Sequence, residues 1–210
     1  LVSSSAASDV YKRQVLLDRP GYGFYWFTTS SRLDILDPNV VFAGFTWDNY
    51  CSDSEPADPH RELDIEDSRW GDGADPTNAQ FVVQPYTLPG NLERYTIPDL
   101  SDDTALTRVL HWHPCQARFI ALRAAADPFS FEDDDLIHEF AYGDDGVDQR
   151  VPDKGRAAFR FNLWLNEPDG PQDGNEIEVV ITEFGFAADG PCPSDVNQNG
   201  AVDVGDIVLL

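Results

Sequence analysis

Short apolar segments separated by turn residues make up most of this chain. Within the segments, β-branched and aromatic residues alternate with polar residues, which is typical of strands that bury one face. The segment Phe131–Phe140 fits either a short helical turn or another strand. The predicted strands are Tyr22–Thr28, Val40–Trp47, Arg61–Ser68, Ala79–Gln84, Leu106–Trp112, Gln116–Leu122, Ala157–Leu165 and Glu176–Phe186.

Proline, glycine, asparagine and aspartate cluster between these segments. Asp37-Pro38-Asn39 and Pro89-Gly90-Asn91 are two examples, and their backbone preferences favour tight turns. The pattern indicates no long amphipathic helix. Many short strands without helices predict an all-β fold, and the length of the chain favours a sandwich of two sheets.

Composition and charge restrict the classes of partner. The chain has 210 residues, 41% of them hydrophobic, which suffices for one sizeable core and at most a small second module. A formal net charge of −24 disfavours nucleic acid and anionic membranes, but it does not disfavour an uncharged polysaccharide. No apolar run approaches the ~20 residues of a membrane span, and no secretory signal is visible.

The chain divides into four segments. Residues 1–14 contain the sequence Asp9-Val10-Tyr11-Lys12-Arg13-Gln14, which resembles the translation of a transposon end used to prepare sequencing libraries. We therefore predict that residues 1–14 are an adapter artefact without order, the alternative being a disordered native N-terminus. Residues 15–187 form the main domain, which we expect to lack its first strands. Residues 188–194 read as a linker before a separate segment, 195–210.

The three cysteines, Cys51, Cys115 and Cys192, do not define a disulfide framework. A bridge between Cys51 and Cys115 is one alternative, although the spacing does not support it. Ordinary half-buried cysteines are favoured over a catalytic role.

The segment Glu62-Leu63-Asp64-Ile65-Glu66 places three acids at every second position of a predicted strand. The carboxylates then share one face, while the two apolar residues enter the core. Like charges on neighbouring positions of one face are destabilising and raise one another's pKa, so the arrangement suggests a function. A retaining glycosidase needs two carboxyl groups ~5 to 5.5 Å apart, and glutamate side chains are long enough to converge.

Asp64, which lies between the two glutamates, is placed to hold one of them protonated and the other ionised. In this interpretation Glu66 is the acid and Glu62 the nucleophile. A solvated acidic face is the alternative.

Other residues near the acids are candidates for binding sugar. Trp70 shares the face of Glu62 and Glu66 if the strand extends that far, and sugar rings stack on flat apolar surfaces. Gln80 and Gln84 alternate on the next strand and are candidates for binding hydroxyl groups. His60 precedes the acids on the same face. Core packing for the tryptophan, and solvent exposure for the glutamines and the histidine, are the alternatives.

The acidic segment resembles the E-x-D-x-E motif of glycoside hydrolase family 16. Further segments resemble strands of that family in the same order, so the likeness covers roughly residues 21–186. These segments are Gly21–Tyr25, Phe45–Trp47, Val109–Pro114 and Asn162–Trp164.

The resemblance implies a concanavalin A-like jelly-roll sandwich and a retaining endo-hydrolase of β-linked polysaccharide, either a β-1,3/1,4-glucan or a marine galactan. It assigns Glu62 as nucleophile, Asp64 as auxiliary acid and Glu66 as general acid/base, and it implies that Trp47 and Trp164 line the cleft. No cofactor is needed for this chemistry. A non-catalytic carbohydrate-binding module with the same fold is the alternative.

Asp67 departs from the family pattern, in which an apolar residue is common at this position. It falls on the face of Leu63 and Ile65, so we expect it to end the buried run or to pair with Arg61 or Arg69.

The C-terminal segment fits the pattern of an EF-hand-type calcium loop. Oxygen-bearing side chains occupy positions 1, 3, 5, 9 and 12 of the loop, and glycine occupies position 6. An Asx-rich turn is the alternative. The candidate calcium ligands are Asp195, Asn197, Asn199, Ala201, Asp203 and Asp206.

The loop resembles the first half of a dockerin repeat, in which aspartate is usual at position 12. That resemblance implies that the intact protein docks to a cohesin-type or envelope scaffold. It also favours a secreted or cell-surface location.

Overall fold

β-Strands are the main regular structure of the described residues. The computed structural model describes residues 2–4, 11–17, 19–51, 59–143, 151–167 and 170–189, the first two ranges by their backbone only. Within these ranges the strands are β1 Val2–Ser4, β2 Tyr11–Leu17, β3 Gly23–Thr29, β4 Val40–Trp47, β5 Leu63–Asp67, β6 Ala79–Val83, β7 Leu92–Tyr95, β8 Leu106–His113, β9 Gln116–Arg123, β10 Leu136–Tyr142, β11 Ala158–Leu165, β12 Ile177–Val179 and β13 Ile181–Ala188. Three single-turn 3-10 helices, Leu33–Ile35, Pro59–Arg61 and Asp133–Asp135, lie between strands.

Two large antiparallel sheets form a sandwich. One sheet has five strands in the order β10-β9-β8-β3-β13, and the other has six in the order β2-β11-β4-β5-β6-β7. A small pair, β1 and β12, completes the described sheets. The predicted all-β, two-sheet architecture is therefore confirmed.

Aromatic side chains fill the space between the sheets. Phe27 of β3 packs edge-on against Phe161 of β11 with ring centroids 4.9 Å apart, and Phe161 stacks on Phe42 of β4 at 6.0 Å. Gly44 permits this packing, because a Cβ at that position would lie 2.8 Å from the Phe27 ring. Alternate residues of each strand thus enter one core, as the pattern of the sequence predicts.

Four features differ from the predicted elements. The segment Glu176–Phe186 forms two strands, because the backbone N–H of Val180 donates to the Ser31 hydroxyl and its carbonyl accepts from Ser30. Phe131–Phe140 is a 3-10 turn followed by the start of β10, and β7 was not predicted. Backbone strands are present over 2–4 and 11–17, which differs from the expected lack of order, whereas the origin of residues 1–14 stays a prediction.

Two further predictions concern the cysteines and the absence of a membrane span. Cys51 is buried and reduced, while Cys115 is disulfide-bonded, so a bridge between these two is wrong. Among the described residues, no helix has the length and apolar character needed to cross a bilayer.

Candidate active site

Strand β5 carries Asp64 and Glu66 on the outer face of the six-stranded sheet. Leu63 and Ile65 are buried in the core between the sheets, whereas Asp64 and Glu66 point to the opposite face. This alternation confirms the predicted orientation of the segment. Glu66 lies directly opposite Ala43 of β4 and Gln80 of β6, so a small side chain on one side leaves room beside the acid.

Glu62 lies just before β5, not within it as predicted. The backbones of His60 and Arg61 have φ values of 55° and 52°, a left-handed conformation that interrupts the extended strand. The Thr46 hydroxyl bridges the interruption, since it donates to the Arg61 carbonyl at 2.8 Å and accepts from the Leu63 N–H at 2.9 Å. Glu62 keeps its place in the sheet because its carbonyl accepts from the N–H of Gln84.

An open cavity of about 660 Å³ lies over this face of the sheet. All three acids line it, together with four of the six residues that we predicted to bind substrate. The lining residues are Ala43, Phe45, Glu62, Asp64, Glu66, Trp70, Asp75, Gln80, Gln84, Tyr86, Leu92, Arg94, Asn162, Trp164 and Asn166.

Trp47 and His60 are not among these lining residues. The two rings stack on each other with centroids 3.8 Å apart and planes 12° apart, one step beyond Phe45 along the same face. Their contact with substrate stays a prediction.

Burial and neighbouring charge control the protonation of Glu66. Burial raises the pKa of Glu66 to about 8, and the charges of Asp64 and Asp67 act in the same direction. A hydrogen bond from Gln80 and the charge of Arg94 oppose the increase. Glu66 is therefore predominantly protonated at neutral pH, as a general acid must be.

The pKa of Asp64 is also raised. Burial raises its pKa well above the usual value, and the charge of Glu62 and a hydrogen bond with that residue raise it further. The amide of Gln84 donates to Asp64 Oδ2 at 3.0 Å and opposes the increase. The contact of Asp64 with Glu62, and that of Gln80 with Glu66, leave the two glutamates in different electrostatic environments.

A chain of hydrogen bonds leads from Glu66 to the edge of the cavity. Gln80 Nε2 donates to Glu66 Oε2 at 2.7 Å. Gln80 Oε1 accepts from Trp70 Nε1 at 3.1 Å and from Arg94 Nη1 at 2.9 Å. Trp70 also packs edge-on against Trp164, with ring centroids 5.9 Å apart, so two indoles stand side by side at this end of the cavity.

Sequence reasoning missed several lining residues. Arg94 is directly opposite Gln80 in the register of β6 and β7, but the four-residue strand β7 was not predicted. Asn162 was noted only as part of a resemblance, although its parity with Trp164 on β11 places both on the cavity face. Tyr86 lies in a loop, where no periodic signal exists.

Asp67 pairs with Arg108 of the opposite sheet. The carboxylate accepts from Arg108 Nη2 at 2.7 Å, and each side chain is 1% exposed. The expected pairing with Arg61 or Arg69 is wrong, because Asp67 continues the buried face of β5 across the core. The buried run therefore ends in a buried ion pair.

The predicted calcium loop, with its candidate ligands from Asp195 to Asp206, lies outside the described residues. Among the residues that are described, no group of three or more His, Cys, Asp or Glu side chains is arranged to hold a metal ion. Calcium binding stays a prediction.

Comparisons with known proteins bear on the fold. No protein-family model matches the sequence, and no curated protein sequence matches it either. Solved structures do match. The β-glucanase of Bacillus licheniformis is 17% identical over 85% of this chain and 71% of its own, with a TM-score of 0.54.

Two further structures show the same likeness. A β-1,3-1,4-glucanase (lichenase) derived from a mouse hindgut metagenome is 17% identical over 79% of this chain and 66% of its own, with a TM-score of 0.50. The apo Crh5 transglycosylase is 11% identical over 90% and 82%, with a TM-score of 0.51. At these identities the likeness establishes the fold alone, and the chain has the concanavalin-like sandwich of these glucanases and this transglycosylase.

Proposed function

We propose that this chain is a retaining endo-acting glycoside hydrolase of uncharged β-linked polysaccharide. The observation that carries the proposal is the pair of glutamates in one open cavity, of which Glu66 has a pKa of about 8. A double displacement requires one carboxyl group that donates a proton and a second carboxyl group within the same cavity that attacks.

In the first step, Glu62 attacks the anomeric carbon while Glu66 donates its proton to the oxygen of the leaving sugar. The bond to the leaving group breaks, and an ester bond to Glu62 forms. Asp64 supports this step, because its hydrogen bond with Glu62 holds the side chain of the nucleophile in place until attack.

In the second step, Glu66 acts as base. It removes a proton from water, which attacks the same carbon and releases the Glu62 carboxylate. Two inversions give net retention, and Glu66 regains its proton. A pKa of about 8 suits both directions of proton transfer near neutral pH.

The charge of the cavity favours an uncharged polymer. Among the described residues, four carboxyl groups line it, from Glu62, Asp64, Glu66 and Asp75. The one cation among the same lining residues, Arg94, is already paired with Asp75 at 2.7 Å. The described lining thus offers no unpaired cation to a sulfate or uronate group, whereas a neutral glucan requires none. The fold of the β-glucanases supports a β-glucan among the neutral candidates.

We further propose that the protein is secreted or attached to the cell surface. A disulfide at Cys115 supports this location, because disulfides persist mainly in oxidising compartments. Docking of the intact protein through the segment 195–210 stays a proposal from sequence.

The test measures reducing ends released from lichenan, laminarin, agar and carrageenan by the wild-type chain and by Glu62→Gln. We expect release from at least one neutral polymer, loss of release in Glu62→Gln, and a first product in the β-anomeric form by NMR. Binding without release from every polymer would favour the carbohydrate-binding module. Activity that survives in Glu62→Gln would refute the nucleophile assignment.

A further inference from the structure

We infer that Trp70 and Arg94 are positioning residues that lock the side-chain amide of Gln80 and thereby place the catalytic proton of Glu66 on Oε1. The inference rests on the proposed role of Glu66 as general acid. It concerns which carboxyl oxygen of Glu66 carries the proton. Trp70 and Arg94 take no part in the displacement itself.

The orientation of the Gln80 amide follows from its partners. The indole N–H of Trp70 and the guanidinium of Arg94 can only donate hydrogen bonds. Both contact the same atom of Gln80, at 3.1 and 2.9 Å, so that atom must be the oxygen. The amide nitrogen must then face Glu66, where it lies 2.7 Å from Oε2.

This orientation decides the position of the proton. The amide N–H of Gln80 needs an acceptor, and the carbonyl oxygen of a protonated carboxyl group accepts better than its hydroxyl oxygen. Oε2 of Glu66 is therefore the carbonyl oxygen of the acid form, and the proton resides on Oε1. A rotated amide would instead accept the proton of Glu66 and hold it away from the substrate.

Both positioning residues are themselves fixed. Arg94 donates to Asp75 Oδ2 and to Thr77 Oγ1, each at 2.7 Å, so its guanidinium plane cannot turn away from Gln80. Trp70 has a φ of 52°, which is rare for a bulky residue, and its backbone N–H donates to the Ser68 hydroxyl at 2.9 Å. Strained backbone of this kind concentrates at functional sites.

The register of the strands explains why the fixed amide of Gln80 acts on Glu66. Glu66, Gln80 and Arg94 are directly opposite one another on β5, β6 and β7, so their side chains form one line on the cavity face. On the other side of Glu66 the opposite residues are Ala43 of β4 and then Asn162 of β11, neither of which carries a charge.

The charged groups around Glu66 must be separated from the effect of the amide. They are Glu62, Asp64 and Asp67 from its own segment, Asp75 and Arg94 from the loop and strand beyond β6, and Arg160 on the same face of β11. Removing the charge of Arg94 would by itself change the protonation of Glu66. The informative variants are therefore Trp70→Phe, which changes no charge, and Trp70→Phe combined with Arg94→Lys, which keeps the positive charge.

The experiment follows Glu66 by ¹³C NMR of the glutamate carboxyl carbons between pH 4 and pH 10, with the resonance assigned by its loss in Glu66→Gln. In the double variant the indole donor is absent, and the planar guanidinium is replaced by a flexible ammonium that Asp75 attracts, so the amide can rotate and accept the proton of Glu66. We expect the proton affinity of Glu66 to rise roughly tenfold, the usual difference between a hydrogen bond to the charged and to the neutral form. Trp70→Phe alone should give a smaller change of the same sign.

Activity on lichenan supplies the second measurement. The alkaline limb of kcat/KM should move to higher pH in the double variant, while kcat falls. Trp164→Phe is the matched control, because it removes an indole from the same cavity but not from Gln80. We expect its titration to follow the wild type.

Two outcomes overturn the inference. One is a titration of Glu66 that is unchanged from the wild type both in Trp70→Phe and in the double variant. If the double variant does not fold, the titration of Trp70→Phe alone tests the inference. The other is an equal change in Trp164→Phe. The proposed function fails separately, by absence of hydrolysis in the wild type, and the titration still tests the position of the proton in that case.

Discussion

Replacement of Glu66 by Gln should stabilise the folded protein at neutral and alkaline pH while it abolishes hydrolysis. The physical reason is the buried position of the carboxyl group, which raises its pKa from 4.5 to about 8. Between these two values the folded state binds a proton that the unfolded state has released. The stability of the wild type is therefore complete below pH 4.5 and declines as the pH rises to about 8.

The magnitude follows from the same two values. Each unit of pH in this interval costs about 1.4 kcal/mol, so the free energy of unfolding loses up to about 5 kcal/mol by pH 8 and about 3 kcal/mol by pH 6.5. Glu66→Gln removes this loss, since the introduced amide is neutral and its oxygen still accepts from Gln80.

Urea unfolding at several pH values between 4 and 9 provides the assay, with Glu178→Gln as a control at an exposed position of β12. We expect the curves of Glu66→Gln and the wild type to meet near pH 4 and to diverge as the pH rises. Asp64 and Asp67 are present in both proteins, so the difference between the two curves measures the cost of ionising Glu66, including its repulsion by Asp64. Parallel curves would refute the buried, protonated state of Glu66.

Three further predictions concern the site and its support. The value of kcat/KM on lichenan should fall as the pH rises through about 8, where Glu66 loses its proton. In Asp64→Asn this fall should occur at lower pH, because the charge of Asp64 raises the pKa of Glu66. A fall at the same pH in both proteins would contradict the coupling of the two groups. Asp67→Ala should destabilise the protein by about 3–5 kcal/mol, since it leaves Arg108 buried and unpaired, and Asp67→Leu with Arg108→Met should recover most of the loss in urea unfolding. An equally unstable double variant would show that the ion pair itself is needed. Trp164→Ala should raise KM for lichenan about tenfold with little change in kcat, as the loss of one stacking face predicts, and a fall in kcat alone would contradict that role.

The acidic strand could be predicted from sequence because the period of a strand is two. The positions of Leu63 and Ile65 in the core fix the opposite face of Asp64 and Glu66 without any long-range information. The same reasoning places Gln80 and Gln84 over the acids, since β6 continues the alternation beside β5. Local periodicity thus determined the centre of the site.

The surroundings of the acids could not be predicted in this way. Arg94 reaches Gln80 only through the pairing of β6 with β7, and a four-residue strand with two charged residues gives almost no periodic signal. Arg108 meets Asp67 across the core from the other sheet, a contact between residues 41 positions apart that alternation cannot indicate. The stacking of Trp47 on His60 depends on the left-handed backbone of His60.

Strand β5 is thus held by polar contacts on both of its faces. On the cavity face, Gln80 and Gln84 each donate to an acid, and each has its amide oxygen engaged by other donors, the backbone N–H of Tyr86 in the case of Gln84. On the core face, Asp67 is tied to Arg108. Buried carboxyl groups with raised pKa values oppose folding at neutral pH, so the aromatic core must supply the stability that the acids remove. The carboxyl groups that destabilise the fold at neutral pH are therefore the same groups of β5 that the proposed chemistry needs. Variants that replace them by neutral side chains should gain stability as they lose the acid function.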